Sequence, residues 1–261
     1  MPIPFETEDR SRTVDPSPKG AVRLTQEISP QIADNLAYFK TSDAVAEYSY
    51  YSLFPEEEYF FSKYYHAGES VLDLACGMGR TTLLLYERGL AVRGVDRSEV
   101  FIETAKRRFP YLDLRIGSFD RIEEADCSFC HVLVSFNSID CAFPETQRIT
   151  ALRECVRVLN PGGTLIFSSH NAKSLRWYSP FYLRRPVWKL RNSFKASRNG
   201  AYVYEDGLHM YFAPPAFVIQ QTEALGVRLL EMNSSSFHRF GIESMDRYFA
   251  PFIHYAFKKP S

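Results

Sequence analysis

The sequence predicts an α/β protein built on a doubly wound, mostly parallel sheet. Three observations carry that prediction. An apolar run, Val71-Leu72-Asp73-Leu74-Ala75, ends in two glycines one residue apart, Gly77 and Gly79. From about residue 70 to about residue 170, short apolar runs alternate with amphipathic helical patterns. The links between them are short, the signature of a parallel sheet covered by helices on both faces.

Taken in order, 1–30 is a polar, proline-bearing stretch without periodicity, expected as a flexible arm. Apolar residues then recur at helical spacing from Gln31 to Glu47 and from Phe54 to His66, with Pro55 suited to a first helical turn. This region, 31–68, is rich in Tyr and Phe and reads as a helical cap. Ser70 to Ala75 is the first strand, Arg80 to Arg88 a helix, and Gly89 its stop. Ala91 to Asp96 is a second strand; Ser98 caps a helix that runs to Phe109. Leu112 to Ile116 follows as a third strand. Phe129 to Phe136 is a near-continuous apolar run, as a strand buried on both faces requires. Glu145 to Leu159 is an amphipathic helix, and Thr164 to Ser169 a fifth strand. After Asn171 the rhythm stops. The stretch 172–204 holds eight basic residues, no acid and both tryptophans. A helix from Pro215 to Leu225 and strands at Val227 to Met232 and Phe252 to Phe257 complete one domain over 31–261, with 172–211 as a basic, aromatic insertion.

Composition narrows the class. Lys plus Arg and Asp plus Glu are both 31, so no global field favours nucleic acid or a membrane surface. No apolar run approaches the roughly 20 residues that span a bilayer. The five cysteines are odd in number and fall mostly in apolar elements, which suits a reducing compartment. With no basic stretch leading an apolar one at the N-terminus, the expectation is a cytoplasmic protein. Cys127 and Cys130 lack a second pair or a nearby histidine, so they are expected to be packing residues and no metal site is expected.

The turn Cys76-Gly77-Met78-Gly79 lies at the carboxyl end of a strand, where open α/β sheets bind ligands. Asp96 ends the second strand, where a carboxylate can accept both hydroxyls of a ribose. A nicotinamide dinucleotide would use the same two features, but its fingerprint needs a third glycine where Thr82 stands. The phosphate loop ending in Gly-Lys-Ser/Thr is absent.

These residues resemble the class I S-adenosylmethionine-dependent methyltransferases. The match lies in Val-Leu-Asp-Leu-Ala-Cys-Gly-Met-Gly-Arg at 71–80, Gly-Val-Asp-Arg-Ser at 94–98 and Ser-Phe-Asn-Ser-Ile-Asp at 135–140, and in Arg157 through Asn171. The resemblance implies a seven-stranded sheet of order 3-2-1-4-5-7-6 with the last strand antiparallel, and S-adenosylmethionine as cofactor. It implies that Ala75, Cys76, Gly77 and Gly79 line the methionine half and ribose, with Asp73 supporting the loop. Asp96 takes the ribose hydroxyls, Arg97 lies against the adenine, and Ser118 and Phe119 meet the adenine edge. Many members carry an aspartate where Ser118 stands. Ser135, Phe136 and Asn137 hold the amino acid end, with Tyr48 and Arg80 as partners for its carboxylate.

Methyl transfer needs a general base only when the nucleophile must lose a proton. His209 and His170 are the catalytic candidates, a histidine titrating in the right range; Glu205 and Asp206 lie nearby. In the insertion, Arg184, Arg185 and Arg191 suit an anionic group on a small-molecule acceptor, and Trp177 and Trp188 can stack on a ring. Asn171 and Tyr211 are further acceptor-side candidates. Three rival readings stand beside a small-molecule methyltransferase acting on O, N or C. They are an RNA methyltransferase, an NAD(P)-dependent oxidoreductase, and a non-catalytic cofactor-binding regulatory protein.

Overall fold

The computed structural model describes residues 30–47, 52–174, 201–205, 208–234 and 250–261. Three short helices lead: α1 (Pro30–Tyr38), α2 (Ser42–Glu47) and α3 (Pro55–Tyr64). Then β1 (Ser70–Leu74), α4 (Arg80–Glu87), β2 (Ala91–Asp96), α5 (Glu99–Arg108) and β3 (Asp113–Ile116) alternate. They are followed by β4 (Phe129–Val134), a 3₁₀ turn at Ser138–Cys141, α6 (Glu145–Val158) and β5 (Leu159–His170). A hairpin of β6 (Ala201–Glu205) and β7 (Leu208–Phe212) comes next. The last elements are α7 (Pro215–Glu223), β8 (Arg228–Asn233) and β9 (Phe252–Lys258).

Seven strands form one sheet in the order β3-β2-β1-β4-β5-β9-β8. Counted within the sheet alone, that is the expected 3-2-1-4-5-7-6. β1 to β5 are mutually parallel, and β9 runs antiparallel to both β5 and β8.

The two faces follow from the period of two along a strand. Leu72, Val132, Leu165 and Tyr255 pack on one face with Leu152 and Cys155 of α6 and Val218 of α7. Their neighbours Val71, Leu133, Ile166 and Ala256 pack on the other with Phe60 and Phe61 of α3 and Leu85 of α4. α5 starts where its sequence says it should. The Ser98 hydroxyl accepts from the Phe101 N–H at 3.4 Å, and Lys106, Arg107 and Arg108 in the last turn oppose the helix dipole.

Several expectations change. The single helical run over 31–47 divides into α1 and α2, because Thr41 turns its hydroxyl to the Ala44 N–H at 3.2 Å and starts a new helix. The fifth strand extends from 164–169 to Leu159–His170. The stretch read as an unpatterned insertion contains the β6–β7 hairpin. Cys76 and Cys155 are buried, but Cys127 is exposed where packing was expected. The arm 1–29 lies outside the described residues, as do Tyr48, Trp177, Arg184, Arg185, Trp188, Arg191 and Asp206. Among the described residues no helix is long and apolar enough to cross a membrane.

Candidate active site

Past β1 the chain turns back on itself with three positive φ angles in five residues: Ala75 at 54°, Gly77 at 56° and Gly79 at 83°. A Cβ built at Gly77 would come no nearer than 3.9 Å to any other side chain, so protein packing is not what demands glycine there. The left-handed backbone and the open space beyond it are. Asp96 clamps the turn: its Oδ2 accepts from the Gly77 N–H at 2.8 Å and its Oδ1 from the Ser98 N–H at 2.7 Å. Burial pushes the Asp96 carboxyl above its usual range, and these backbone bonds oppose the shift. Behind the turn, fully buried Asp73 accepts from the Thr81 and Thr82 hydroxyls, both at 2.7 Å. Burial pushes its carboxyl up to about 6. Thr82, which argued against a dinucleotide, thus anchors the helix start to β1.

A cavity of about 800 Å³ lies over this turn at the carboxyl ends of the strands. Single-ligand pockets run from about 300 to 1,000 Å³, so this one has room for a cofactor and a small second ligand. Of the residues the sequence assigns to the cofactor, Ala75, Cys76, Gly77 and Asp96 line it on one side. Arg97, Ser118 and Phe119 line it further along, and Arg80, Ser135, Phe136 and Asn137 complete the wall. Gly79 does not face the cavity; it supplies a turn of the backbone as the N-cap of α4.

At one end, the Arg97 guanidinium donates to the Ser118 hydroxyl and, at 3.0 Å, to Asp120, to which Ser118 also donates. Gln147 donates to the same carboxylate, while its Oε1 is buried without a partner and the side chain lines the cavity. At the other end Arg80 behaves differently from its expected role. Its guanidinium is committed to Glu57 through two bonds of 2.6 and 2.7 Å, with a third of 2.9 Å to the Ser52 carbonyl. It lies beside the rings of Phe54 and Phe136, 5.2 and 5.7 Å from their centroids, which are themselves 5.5 Å apart. Phe136 and Asn137 are both left-handed, at 54° and 57°. That bend aims Asn137 inward, with its N–H donating to the Ser168 hydroxyl at 2.8 Å and its Oδ1 buried without a partner. An open glycine turn, a carboxylate beside it and an unpaired amide oxygen across from it fit the ribose and amino acid end of an adenosyl-methionine ligand.

His170, the last residue of β5, lines the cavity with its ring stacked on Phe212 at 4.3 Å and edge-on to Phe252 at 5.0 Å. Its Nδ1 meets the Asp140 carboxylate at 2.7 Å, and its own N–H donates to the same oxygen at 2.7 Å. Asp140 is fully buried; it also accepts from the Ser169 hydroxyl at 2.8 Å and faces the buried Arg148 guanidinium at 3.8 Å. The 3₁₀ turn after Asn137 is what folds Asp140 back beneath the strand end.

The other acceptor-side candidates go elsewhere. Leu208 and Met210 of β7 line the cavity, so the residues between and beyond them alternate away from it. His209 bonds Asp34 of α1 at 3.0 Å, and its backbone exchanges bonds of 2.7 and 3.0 Å with the Asn35 side chain. Tyr211 packs under Arg148 at 5.1 Å, and burial pushes its hydroxyl up to about 12. Asn171 holds the Ala250 carbonyl and the Lys173 N–H. Conversely, the sequence reading gave no role to Asp140, Asp120, Glu56, Glu57 or His254. Asp140 stood inside the quoted 135–140 match, and Glu57 stood at the third helical position after Phe54, where acids reach back to a cap. Nothing local marked Glu56 or His254.

Residues 71–163 match the model of a family described as a methyltransferase domain. A probable S-adenosylmethionine-dependent methyltransferase of Mycolicibacterium smegmatis is 31% identical over 134 residues, 51% of this chain and 50% of that protein. A ubiquinone biosynthesis O-methyltransferase of Coxiella burnetii is 27% identical over 180 residues, 66% of this chain and 68% of that protein. The chain spans about half the length of the first of these relatives. Among solved structures, a SAM-dependent methyltransferase of Methanosarcina mazei shares the fold, with a TM-score of 0.61 at 16% identity over 80% of this chain and 99% of that one. By sheet order and glycine turn the chain has the fold of the class I S-adenosylmethionine-dependent methyltransferases, and its residues 71–163 match a methyltransferase domain. S-adenosylmethionine is the cofactor of that class.

Proposed function

We propose that this protein methylates a hydroxyl oxygen of a small aromatic acceptor, with His170 as the base that takes the hydroxyl proton. The observation that carries the reading is the 2.7 Å Asp140–His170 contact in the wall of the cavity that also contains the glycine turn. With Nδ1 directed at Asp140, the ring is held in the tautomer whose Nε2 accepts a proton, and the carboxylate stabilises the imidazolium that results. Phe212 and Phe252 fix the ring plane. S-adenosylmethionine supplies an electrophilic methyl group on a sulfonium and departs as the neutral thioether. Asp96 would hold the ribose hydroxyls, and Asn137 with the backbone of Ala75 to Gly77 the amino acid end. Arg97, Ser118, Phe119 and Gln147 would border the adenine. Phe39, Phe54, Phe136 and Phe252 give the rest of the wall an aromatic character suited to a ring. The Coxiella burnetii relative's name, an O-methyltransferase of ubiquinone biosynthesis, supports a phenolic acceptor.

The test is incubation with S-adenosylmethionine and a panel of small phenols, following S-adenosylhomocysteine and the mass of the acceptor. Methylation of at least one phenol, abolished in His170→Ala, is the expected result. Cofactor binding by calorimetry without turnover of any phenol sinks the acceptor reading. No binding of S-adenosylmethionine or S-adenosylhomocysteine sinks the cofactor reading as well.

A further inference from the structure

Four formally charged residues line the cavity among those described: Glu56, Arg80, Asp96 and Arg97. Three of them are accounted for. Arg80 is neutralised by Glu57, Arg97 faces Asp120, and each Asp96 oxygen accepts a backbone N–H. Glu56 is not. Its side chain is in the first turn of α3, its residue is only 4% exposed, and no hydrogen bond or ion pair reaches its carboxylate among the described residues. An acid in a first helical turn offsets the helix dipole, and exposed Glu58 on the same turn does that in the ordinary way. What sets Glu56 apart is a carboxylate in the cavity wall without a protein partner among the described residues, its oxygens not sealed inside the protein and so open to a charged or donating ligand.

A second orphan faces the same space. His254 of β9 lines the cavity, is 8% exposed, and its Nδ1 has no hydrogen-bond partner. Burial holds its imidazole below the usual histidine range, with Glu57 and Glu56 raising it and Arg80 lowering it, so those three are its charged neighbours. The ring is therefore neutral at neutral pH and can accept a hydrogen bond. The strand register sets its distance from the base. Ser168 pairs with His254 and His170 with Phe252, which makes His254 and His170 diagonal neighbours about 7–8 Å apart on one face. That is the span of a benzene ring with a short para side chain.

We propose that Glu56 and His254 form a subsite for a protonated amine carried by the acceptor, at the far end of the aromatic ring from the hydroxyl that His170 meets. This rests on His170 marking the hydroxyl end. The ammonium supplies the counter-charge that Glu56 lacks, and a donor for the orphaned His254 nitrogen. The sequence pointed the other way, to an anionic acceptor, because of the basic stretch at 172–204. The described wall has its unpaired charge of the opposite sign.

Three para-substituted phenols that differ in the charge of the side chain test the subsite without requiring turnover: tyramine, 4-ethylphenol and 3-(4-hydroxyphenyl)propanoate, titrated by calorimetry into the protein saturated with S-adenosylhomocysteine. Tyramine is expected to bind about tenfold tighter than 4-ethylphenol and tighter still than the propanoate. Glu56→Gln should bring tyramine and 4-ethylphenol to within about twofold of each other, while Glu58→Gln leaves the preference intact. Equal binding of the three, no binding of any, or tightest binding of the propanoate overturns the proposal. So does a preference that survives Glu56→Gln. If Glu56→Gln instead weakens S-adenosylhomocysteine and leaves the order of the phenols unchanged, the carboxylate serves the cofactor's own ammonium and the subsite is refuted. A tyramine preference in a protein that methylates no phenol would retain the subsite while removing His170 as the base.

Discussion

Gly77 and Asp96, 19 residues apart in the chain, are joined by a 2.8 Å hydrogen bond from the glycine N–H to the carboxylate. One side chain thus shapes the turn and faces the same cavity. Replacing Asp96 by Ala should weaken S-adenosylhomocysteine binding by about 1.5–3 kcal/mol, roughly 10- to 100-fold, as expected for hydrogen bonds to a charged group. Calorimetry measures it directly, and an unchanged affinity would mean that the ribose is held elsewhere.

Asp140→Asn keeps the shape of the side chain but removes the charge that fixes the His170 ring. Turnover of a phenol should fall about 10²- to 10⁴-fold at saturating cofactor, with a much smaller change in KM. Circular dichroism at the assay temperature checks that the buried Arg148 tolerates the loss. Unaltered kcat would remove the carboxylate from the chemistry.

The Arg80–Glu57 pair is a stability element more than a ligand contact. Arg80→Ala leaves Glu57 buried beside no cation and should cost about 3–5 kcal/mol in urea denaturation. The double variant Arg80→Met with Glu57→Leu should recover most of that loss, since both charges leave together. A single-variant cost below about 1 kcal/mol, the value of an exposed pair, would contradict the burial argument.

Asp73 gives stability a slope with pH. Its carboxyl lies near 3.8 when unfolded and about 6 when folded, raised by burial against the Thr82 and Thr81 bonds. The folded chain therefore binds this proton more tightly. The stabilising contribution is complete below about pH 4 and is lost as pH rises through about 6. Relative to Asp73→Asn, the unsubstituted protein should lose about 2.4 kcal/mol between pH 4 and pH 7. Denaturation curves at four pH values, taken without cofactor, would show this; parallel trends for the two proteins would exclude it.

What the sequence revealed was local, and what it concealed was a matter of facing. The glycine pair, Asp96 and the Ser98 cap could be read because each acts within a strand, a turn or a helix start. Arg80 was visible as a cation near the turn, but the acid that neutralises it stands 23 residues earlier on another helix. His209 looked well placed for a base until the strand that carries it showed which residues alternate inward. His170 and His209 differ in that one respect. The former ends a central strand whose register is fixed by pairs on both sides, whereas the latter sits on a hairpin whose face no local pattern declared. Glu56 and His254, almost 200 residues apart, meet only through the fold.

β9 is inserted between β5 and β8, and it brings Phe252 and His254 to the cavity wall. The latest of the described strands along the sequence is therefore an interior one. While the chain is being synthesised, β1 to β5 can pair in sequence, yet β5 keeps an unpaired edge and the pocket lacks a side until residues 252–258 emerge. Ligand capture on a ribosome-bound nascent chain should consequently appear abruptly, at a stalling length that clears the exit tunnel past residue 258, and not grow in step with the sheet.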